Sequence, residues 1–276
     1  MTPLDPLGPE HVDAIAALCR RSLADPPAAD EIAGCLFAPD EPSIARGDPD
    51  VGVVATVAQG SRGFVRLLVV DPVQRQQGHG RALLRAGEAD LQASGSNTVT
   101  VGTDAPYFLF PGVETTEIGM LTLLEGERYE RRETNFNMAV DLTRIAPDPG
   151  GHTVATPADR DEVDAWMTIN WGNWRLEVLR ALDKGTLVLA RDDNGISAFC
   201  AYDVNRRGLL GPVASRVDLL GKRASQPLIL GALHRMKAQG RDTAEVVWVG
   251  PIVPYARLGA VVSRTFFVYR RQLPKP

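Results

Sequence analysis

Between residues 63 and 95 the alternation of apolar and polar positions changes period once, and the rest of the chain is arranged around that change. Phe64 to Val70 (FVRLLVV) is apolar at every position except Arg66, the pattern of a strand covered on both faces. Asp71-Pro72 ends it, because proline brings no N–H to a ladder and turns its predecessor away from helix. From Arg81 onward, Leu83, Leu84, Gly87 and Leu91 recur at helical spacing. Arg81, Arg85, Glu88 and Asp90 are left for water, and Gly95 closes the segment.

Ahead of this stretch the pattern predicts helices over 9–23 and 28–37 and strands over 43–46 and 51–58. Behind it come a strand over 98–102 and an irregular aromatic run over 104–113 with Tyr107, Phe108 and Phe110. A helix over 114–126 and a strand over 133–141 follow. Residues 145–151 (IAPDPGG) read as a linker. The order then returns: helices over 158–170 and 175–183, strands over 186–191 and 196–204 joined by Asp193-Asn194-Gly195, a core strand over 208–214, a helix over 227–239, and strands over 245–249 and 262–270. Two copies of one α/β unit are the simplest account, with expected domains of 1–145 and 151–276.

Composition narrows the class without choosing it. The chain has 276 residues, 44% of them hydrophobic and 23% charged, enough for two cores in an ordinary globular protein. A net charge of −4 leaves no footprint for nucleic acid. No apolar run reaches the roughly 20 residues of a membrane span, and MTPLDPLGPEHVDA has neither the basic start nor the apolar core of an export signal. Cys19, Cys35 and Cys200 are odd in number and scattered, which reads as core filling in a reducing cytosol rather than disulfides or metal ligands. The expectation is a cytoplasmic protein with no membrane, nucleic-acid or metal partner, its oligomeric state open between monomer and homodimer.

The chemistry lies between the central strand and helix, in Arg75-Gln76-Gln77-Gly78-His79-Gly80. Two glycines two apart at a first helical turn let the backbone approach a ligand. They also leave N–H groups pointing outward, where the helix dipole favours an anion such as a diphosphate. No Lys-Ser/Thr follows, so this is no P-loop, and GHGRAL is not the dinucleotide GxGxxG. The pattern resembles the acyl-CoA signature of the GNAT superfamily of N-acetyltransferases: Arg or Gln, two residues, Gly, one residue, Gly or Ala. Arg75, Gly78 and Gly80 match it, and Val70-Asp71-Pro72 resembles the usual lead-in. The resemblance covers nearly the whole chain and is sharpest over 63–95. It implies a mixed α/β fold of two tandem GNAT-like acyl-CoA N-acyltransferase domains, with acetyl-CoA as cofactor and a small-molecule or peptide amine as acceptor.

That resemblance also assigns roles. Gln76, Gln77, Gly78, His79, Gly80 and Arg81, with Arg75, would hold the cofactor's phosphates. Leu68, Val69 and Val70 would run beside the pantetheine arm and offer an N–H to the oxyanion. His79 is expected to face solvent. The family's thiol-protonating tyrosine is missing from the first half, where Leu124 holds its position. In the second half Tyr255 matches. Tyr107 is a stand-in acid if its loop folds over the thioester, and otherwise an aromatic contact; Tyr255 is a working acid or simply buried. Asp104, Glu114 and Glu117 are carboxylates that would draw a proton through water, or cap helices. In the second half Arg223 and Ser225 replace the two glycines, so that half should bind CoA poorly. Trp166, Trp171 and Trp174 read as core rather than acceptor pocket. The function expected is an acetyltransferase moving an acetyl group from acetyl-CoA to an amine; the alternative is a CoA-binding pseudoenzyme acting as sensor or partner module. A ligand-free interaction module is a third.

Overall fold

The structure, a computed structural model, describes residues 4–222 and 225–274. In chain order the elements are β1 (Pro6–Leu7), α1 (Val12–Ser22), α2 (Ala29–Leu36), β2 (Ile44–Asp48), β3 (Gly52–Gln59), β4 (Arg62–Val70), α3 (His79–Ala93), β5 (Thr98–Val101), β6 (Val113–Glu114), α4 (Ile118–Gly126) and β7 (Glu130–Asp141). The second series is β8 (Thr153–Val154), α5 (Arg160–Asn170), α6 (Arg175–Asp183), β9 (Leu187–Asp192), β10 (Gly195–Tyr202), β11 (Leu209–Ser215), α7 (Gln226–Ala238), β12 (Thr243–Val246), α8 (Ile252–Ala256) and β13 (Val261–Gln272).

The chain forms two compact units, but not where the Pro/Gly-rich linker suggests. One comprises residues 1–135 with 265–276, the other 136–264. Strand pairing is the reason. Tyr269 to Gln272 of β13 pair with β5, and Phe266 and Phe267 with β6, so the last strand completes the first unit. Met138 to Asp141 of β7 pair with β12 in the second. The linker itself is pinned. His152 Nε2 lies 2.8 Å from Asp148 Oδ1, and its ring fills the space a side chain at Gly231 of α7 would need. His234 Nε2 meets the Ala146 carbonyl at 2.8 Å.

In the first unit the strand order is β1-β2-β3-β4-β5-β13, with β6 on β13. Every pairing is antiparallel except β4 with β5, which α3 joins as a crossover. Two apolar layers cover the sheet. Ile15, Leu18, Ile32 and Leu36 of α1 and α2 meet Val53, Ala55, Leu67 and Val69 on one face. Leu83, Leu84 and Leu91 of α3 meet Val54, Val65 and Leu68 on the other. Gly87 permits the second contact: a Cβ there would stand 2.8 Å from Thr56 Cγ2.

The second unit repeats this plan in the order β7-β12-β11-β10-β9-β8, again with one parallel pair, β11 with β12, joined by α7. Its core has Val163, Met167, Val178 and Leu182 of α5 and α6 on one face and Leu228, Ile229, Leu233 and Met236 of α7 on the other. One polar residue is out of keeping. Glu177 of α6 is 4% exposed. Burial pushes its carboxyl up to about 8, with Arg180 pulling the other way. The unfolded chain therefore loses this proton first. The stability tied to it is complete below the ordinary value of 4.5 and is lost as pH rises to about 8. Glu177→Gln should thus match the wild type in thermal midpoint at acid pH and exceed it at pH ~8, by up to about 1.4 kcal/mol per pH unit crossed. Melting curves across that range test this.

Candidate functional site: a fork between two parallel strands

Pairing between β4 and β5 runs from Arg62↔Thr98 to Val65↔Val101 and ends with the Gly102 N–H on the Val65 carbonyl at 3.1 Å. Along β3, however, β4 continues to Gly52↔Val70. The two parallel strands therefore part after Val65 while β4 stays in the sheet. The register between β3 and β4 slips at the same place, with Ala55 opposite Leu67 and Thr56 opposite Val65, so Arg66 is an extra residue in a bulge. Beyond it the Asp71 N–H reaches back to Val51 O at 2.9 Å. By strand alternation Val69 faces β3, and Leu68 and Val70 turn their N–H groups to the open side of the fork. Of the three positions expected to line a bound arm, Val69 thus has its backbone spent in the sheet.

At the mouth of the fork lies the glycine loop. Gly78 is the N-cap of α3 at φ 88°, with no side chain capping the helix. Gln76 also has a positive φ, 61°. The next hydrogen bond is Ala82 N–H to Gly78 O at 3.0 Å. Among the described residues, the N–H groups of Gln76, Gln77, Gly78, His79, Gly80 and Arg81 have no intramolecular acceptor. Such a run is an anion seat. The glycines serve different ends. A Cβ on Gly78 would meet open space, whereas one on Gly80 would sit 3.2 Å from Leu123 Cδ2, so Gly80 lets α4 come close to α3.

The side chains of the motif do other work. Arg75 donates to Val70 O at 3.2 Å and Ser22 O at 2.8 Å, tying α1 to the end of β4. Arg81 holds Glu127 at 2.5 Å and Arg85 reaches it at 3.3 Å. Burial raises the Glu127 carboxyl, but these arginines win and hold it below the usual range. His79 is half-buried. Asp71 caps the turn before the loop by accepting from Val73 N–H at 3.0 Å, and it pairs with Arg21. The Arg21 bond, then the Val73 bond, lower its carboxyl.

At the point of divergence the sequence reading missed a cluster of charge. The Arg66 side chain is 0% exposed. Its Nε donates to Asp104, two residues beyond the last β4–β5 link, so this ion pair is the first bridge across the fork. Its terminal nitrogens donate to Glu41 Oε2 (2.6 Å), Cys35 O (2.8 Å), Glu41 O (3.1 Å) and Ser43 Oγ (3.2 Å). Asp104 is 1% exposed, and its Oδ1 is buried without a hydrogen-bond partner. Burial pushes its carboxyl up against the pull of Arg66. The visible signal was Arg66 itself, the lone charge in an apolar strand.

Tyr107 belongs to this cluster. It is buried, its ring lies 5.5 Å from the Arg66 guanidinium and its hydroxyl donates to Asp40. Leu124, where a tyrosine was sought, is wholly buried in α4. Tyr269 of the last strand stands near, its hydroxyl donating to Glu125 at 2.8 Å. Burial first, then that bond, push it up to about 12. In the second unit Tyr255 lies buried in α8 within the α7-side core, its phenol raised by burial and then by Cys200. Among the described residues no group of three or more His, Cys, Asp or Glu could hold a metal.

The second unit has a fork of its own. β11 pairs with β12 at Leu209 and Leu210 and then follows β10 to Ser215. Pro212, in the diverging part, has no N–H, and the Ser215 carbonyl is taken by Trp171 Nε1 at 2.9 Å. Ser225 is the N-cap of α7. Arg223, one of the two residues expected in place of glycine, lies outside the described residues.

This repeated forked sheet is the fold of the GNAT acetyltransferases. No family model and no curated protein matches the sequence, but solved structures do. A GCN5-related N-acetyltransferase from Sphaerobacter thermophilus superposes with a TM-score of 0.71 at 19% identity, over 97% of this chain and 94% of its own. A tandem GNAT protein from the clavulanic acid biosynthesis pathway gives 0.71 at 16% identity over 98% of both chains. A glucosamine N-acetyltransferase region in a fungal multi-domain β-N-acetylglucosaminidase gives 0.78 at 19% identity. It covers 97% of this chain, which spans 38% of the length of that protein.

The buried ion pair gives a prediction. Arg66→Met leaves Asp104 and Glu41 without their cation and should cost about 3–5 kcal/mol. Adding Asp104→Leu should recover part of that loss, so a double-mutant cycle by urea unfolding would show a coupling of about 1 kcal/mol or more.

Proposed function

We propose that the first unit binds acetyl-CoA in its fork and transfers the acetyl group to an amine, acting in the cytoplasm. The observation that carries this is the run of N–H groups from Gln76 to Arg81 without acceptors at the mouth of a fork whose inner edge offers those of Leu68 and Val70. The residues fit the cofactor. The loop N–H groups would take the diphosphate, Gly78 leaves the approach clear, and the open edge of β4 is free to pair with an amide-bearing arm. Bound there, the thioester supplies the acyl group. Pro212 and the Trp171 bond in the other unit favour the first as the place of binding.

The chain's own groups would do the rest. The Leu68 or Val70 N–H donates to negative charge developing on the acyl oxygen. An ammonium acceptor must first lose a proton. Asp104 Oδ1, at the apex of the fork with no partner and a raised pKa, is the group we assign to take it. Tyr107 gives its hydroxyl to Asp40, so the departing thiolate is left to gain its proton from solvent; with an ordinary thiol pKa of about 8.5 it leaves without an acid. The acceptor is a small or peptidyl amine, and glucosamine, named for the fungal neighbour, is the first to try.

One observation favours a second reading, a CoA-binding protein without turnover. A buried leucine stands where a tyrosine acid was sought, and Tyr107 is already engaged. Thiol release from acetyl-CoA with glucosamine, spermidine and lysine separates the two, because a binder takes up CoA and liberates nothing.

Two substitutions test the assignment. Gly78→Ala forces a β-carbon into a left-handed conformation at the loop and should weaken acetyl-CoA binding about tenfold or more by calorimetry. Asp104→Asn should leave that affinity unchanged and lower kcat by about 10²-fold or more. It should also abolish the rise of rate with pH as this carboxyl ionises, which a pH–rate profile would show.

A further inference from the structure

Asp104 can take a proton only while one of its oxygens stays free, and a second carboxylate bears on that. A guanidinium carries Nε and one Nη along a single edge, spaced to grip both oxygens of one carboxylate. Arg46 closes this edge on Asp90, at 2.5 and 2.9 Å, and Arg175 closes it on Asp164. Arg66 does not. Its Nε donates to Asp104 Oδ2, but its Nη2 donates to Glu41 Oε2 at 2.6 Å. Asp104 Oδ1 is left without a hydrogen-bond partner, in a residue that is 1% exposed.

The divided edge is pinned on both sides. Glu41 Oε1 accepts from Gln59 Nε2 at 3.0 Å, and the same nitrogen donates to the Ala105 carbonyl at 3.1 Å. Gln59 of β3 so fixes Glu41 against the backbone next to Asp104. The Tyr107 N–H bonds the Asp104 carbonyl at 3.2 Å, and its hydroxyl donates to Asp40, beside Glu41 in the chain. Nη1 of Arg66 is occupied by Cys35 O, Glu41 O and Ser43 Oγ. The charged and titratable groups about Asp104 are therefore Arg66 of β4, Glu41 and Asp40 of the segment after α2, and Tyr107 of its own turn. Burial does most to raise the Asp104 carboxyl, Arg66 opposes it, and Glu41 adds to the rise.

We propose that Glu41 is a positioning residue: it occupies the second prong of Arg66 and so keeps Asp104 Oδ1 free for the acceptor's proton. This rests on the assignment of Asp104 as the group that takes that proton. Without Glu41 the Arg66 edge closes on both oxygens of Asp104, as Arg46 does on Asp90. The free oxygen is then paired, and the carboxylate holds a proton less tightly.

Glu41→Ala removes the competing acceptor, and because that side chain is 24% exposed the variant should fold. Its crystal structure should show Nε and Nη2 both on Asp104. In protein labelled with ¹³C-aspartate, the Asp104 carboxyl signal, assigned by its loss in Asp104→Asn, should titrate about one pH unit or more below wild type. With glucosamine, spermidine or lysine as acceptor, kcat should fall about tenfold or more while KM for acetyl-CoA stays unchanged. Glu41→Gln returns an oxygen to Nη2 and should recover most of that rate. Glu41→Leu, which fills the same space without an acceptor, replaces alanine if that variant does not fold. An Nη2 that stays off Asp104, or an Asp104 titration equal to wild type, would overturn the proposal. An Asp104→Asn enzyme as fast as wild type would instead defeat the assignment of the base, and structure and titration would still decide whether Glu41 keeps Oδ1 free.

Discussion

A guanidinium buried at a strand bulge is the constraint on which the first unit's site depends. Arg66 has no water, so each of its donors must find protein, and they find it in three segments. The last turn of α2 with the loop after it, the approach to β2 and the turn beyond β5 are drawn together under β4 by one side chain. Desolvating such a charge is costly, and only its full set of acceptors offsets the cost. The same residue is the extra one in the β3–β4 ladder, so the bulge and the charge come as a pair. Where the bulge reverses the alternation of β4, the backbone beyond turns its free N–H groups outward. The ion pair therefore holds the apex from which the fork opens.

The two units show what a repeated scaffold can keep and discard. Both have one parallel pair that parts after its first residues, with a helix packed beneath. In one, the diverging strand offers N–H groups and the loop ahead of the helix leaves more of them bare. In the other, a proline removes a donor and an indole takes the last carbonyl. The architecture is maintained by apolar layers that many sequences would satisfy. The chemistry proposed for the first unit rests on a few backbone groups left without partners.

That contrast explains what the sequence disclosed. The regular elements follow from hydrophobic period, and the strand and helix around Gly78 fall within two residues of the pattern's edges. The glycine loop was legible because its spacing constrains backbone directly. Short strands such as β1, β6 and β8 carry too few residues for a period, and α8 is one turn long. The partner of Arg66 was not legible, since Asp104 and Glu41 lie 38 and 25 residues away and only the folded sheet brings them together. Nor was the division into units, because the Pro/Gly-rich stretch that reads as a boundary is tied down by His152 and His234 rather than left as a hinge.

The placement of β13 has a consequence for synthesis. A chain emerging from the ribosome normally closes its leading unit first. Here the leading unit waits for residues 265–272, which close its sheet beside β5 and β6, while the trailing unit has all its residues by 264. The order of completion is thus the reverse of the order of translation. Until the last strand arrives, the outer edge of β5 is an open template that a chaperone, or another nascent chain, can reach.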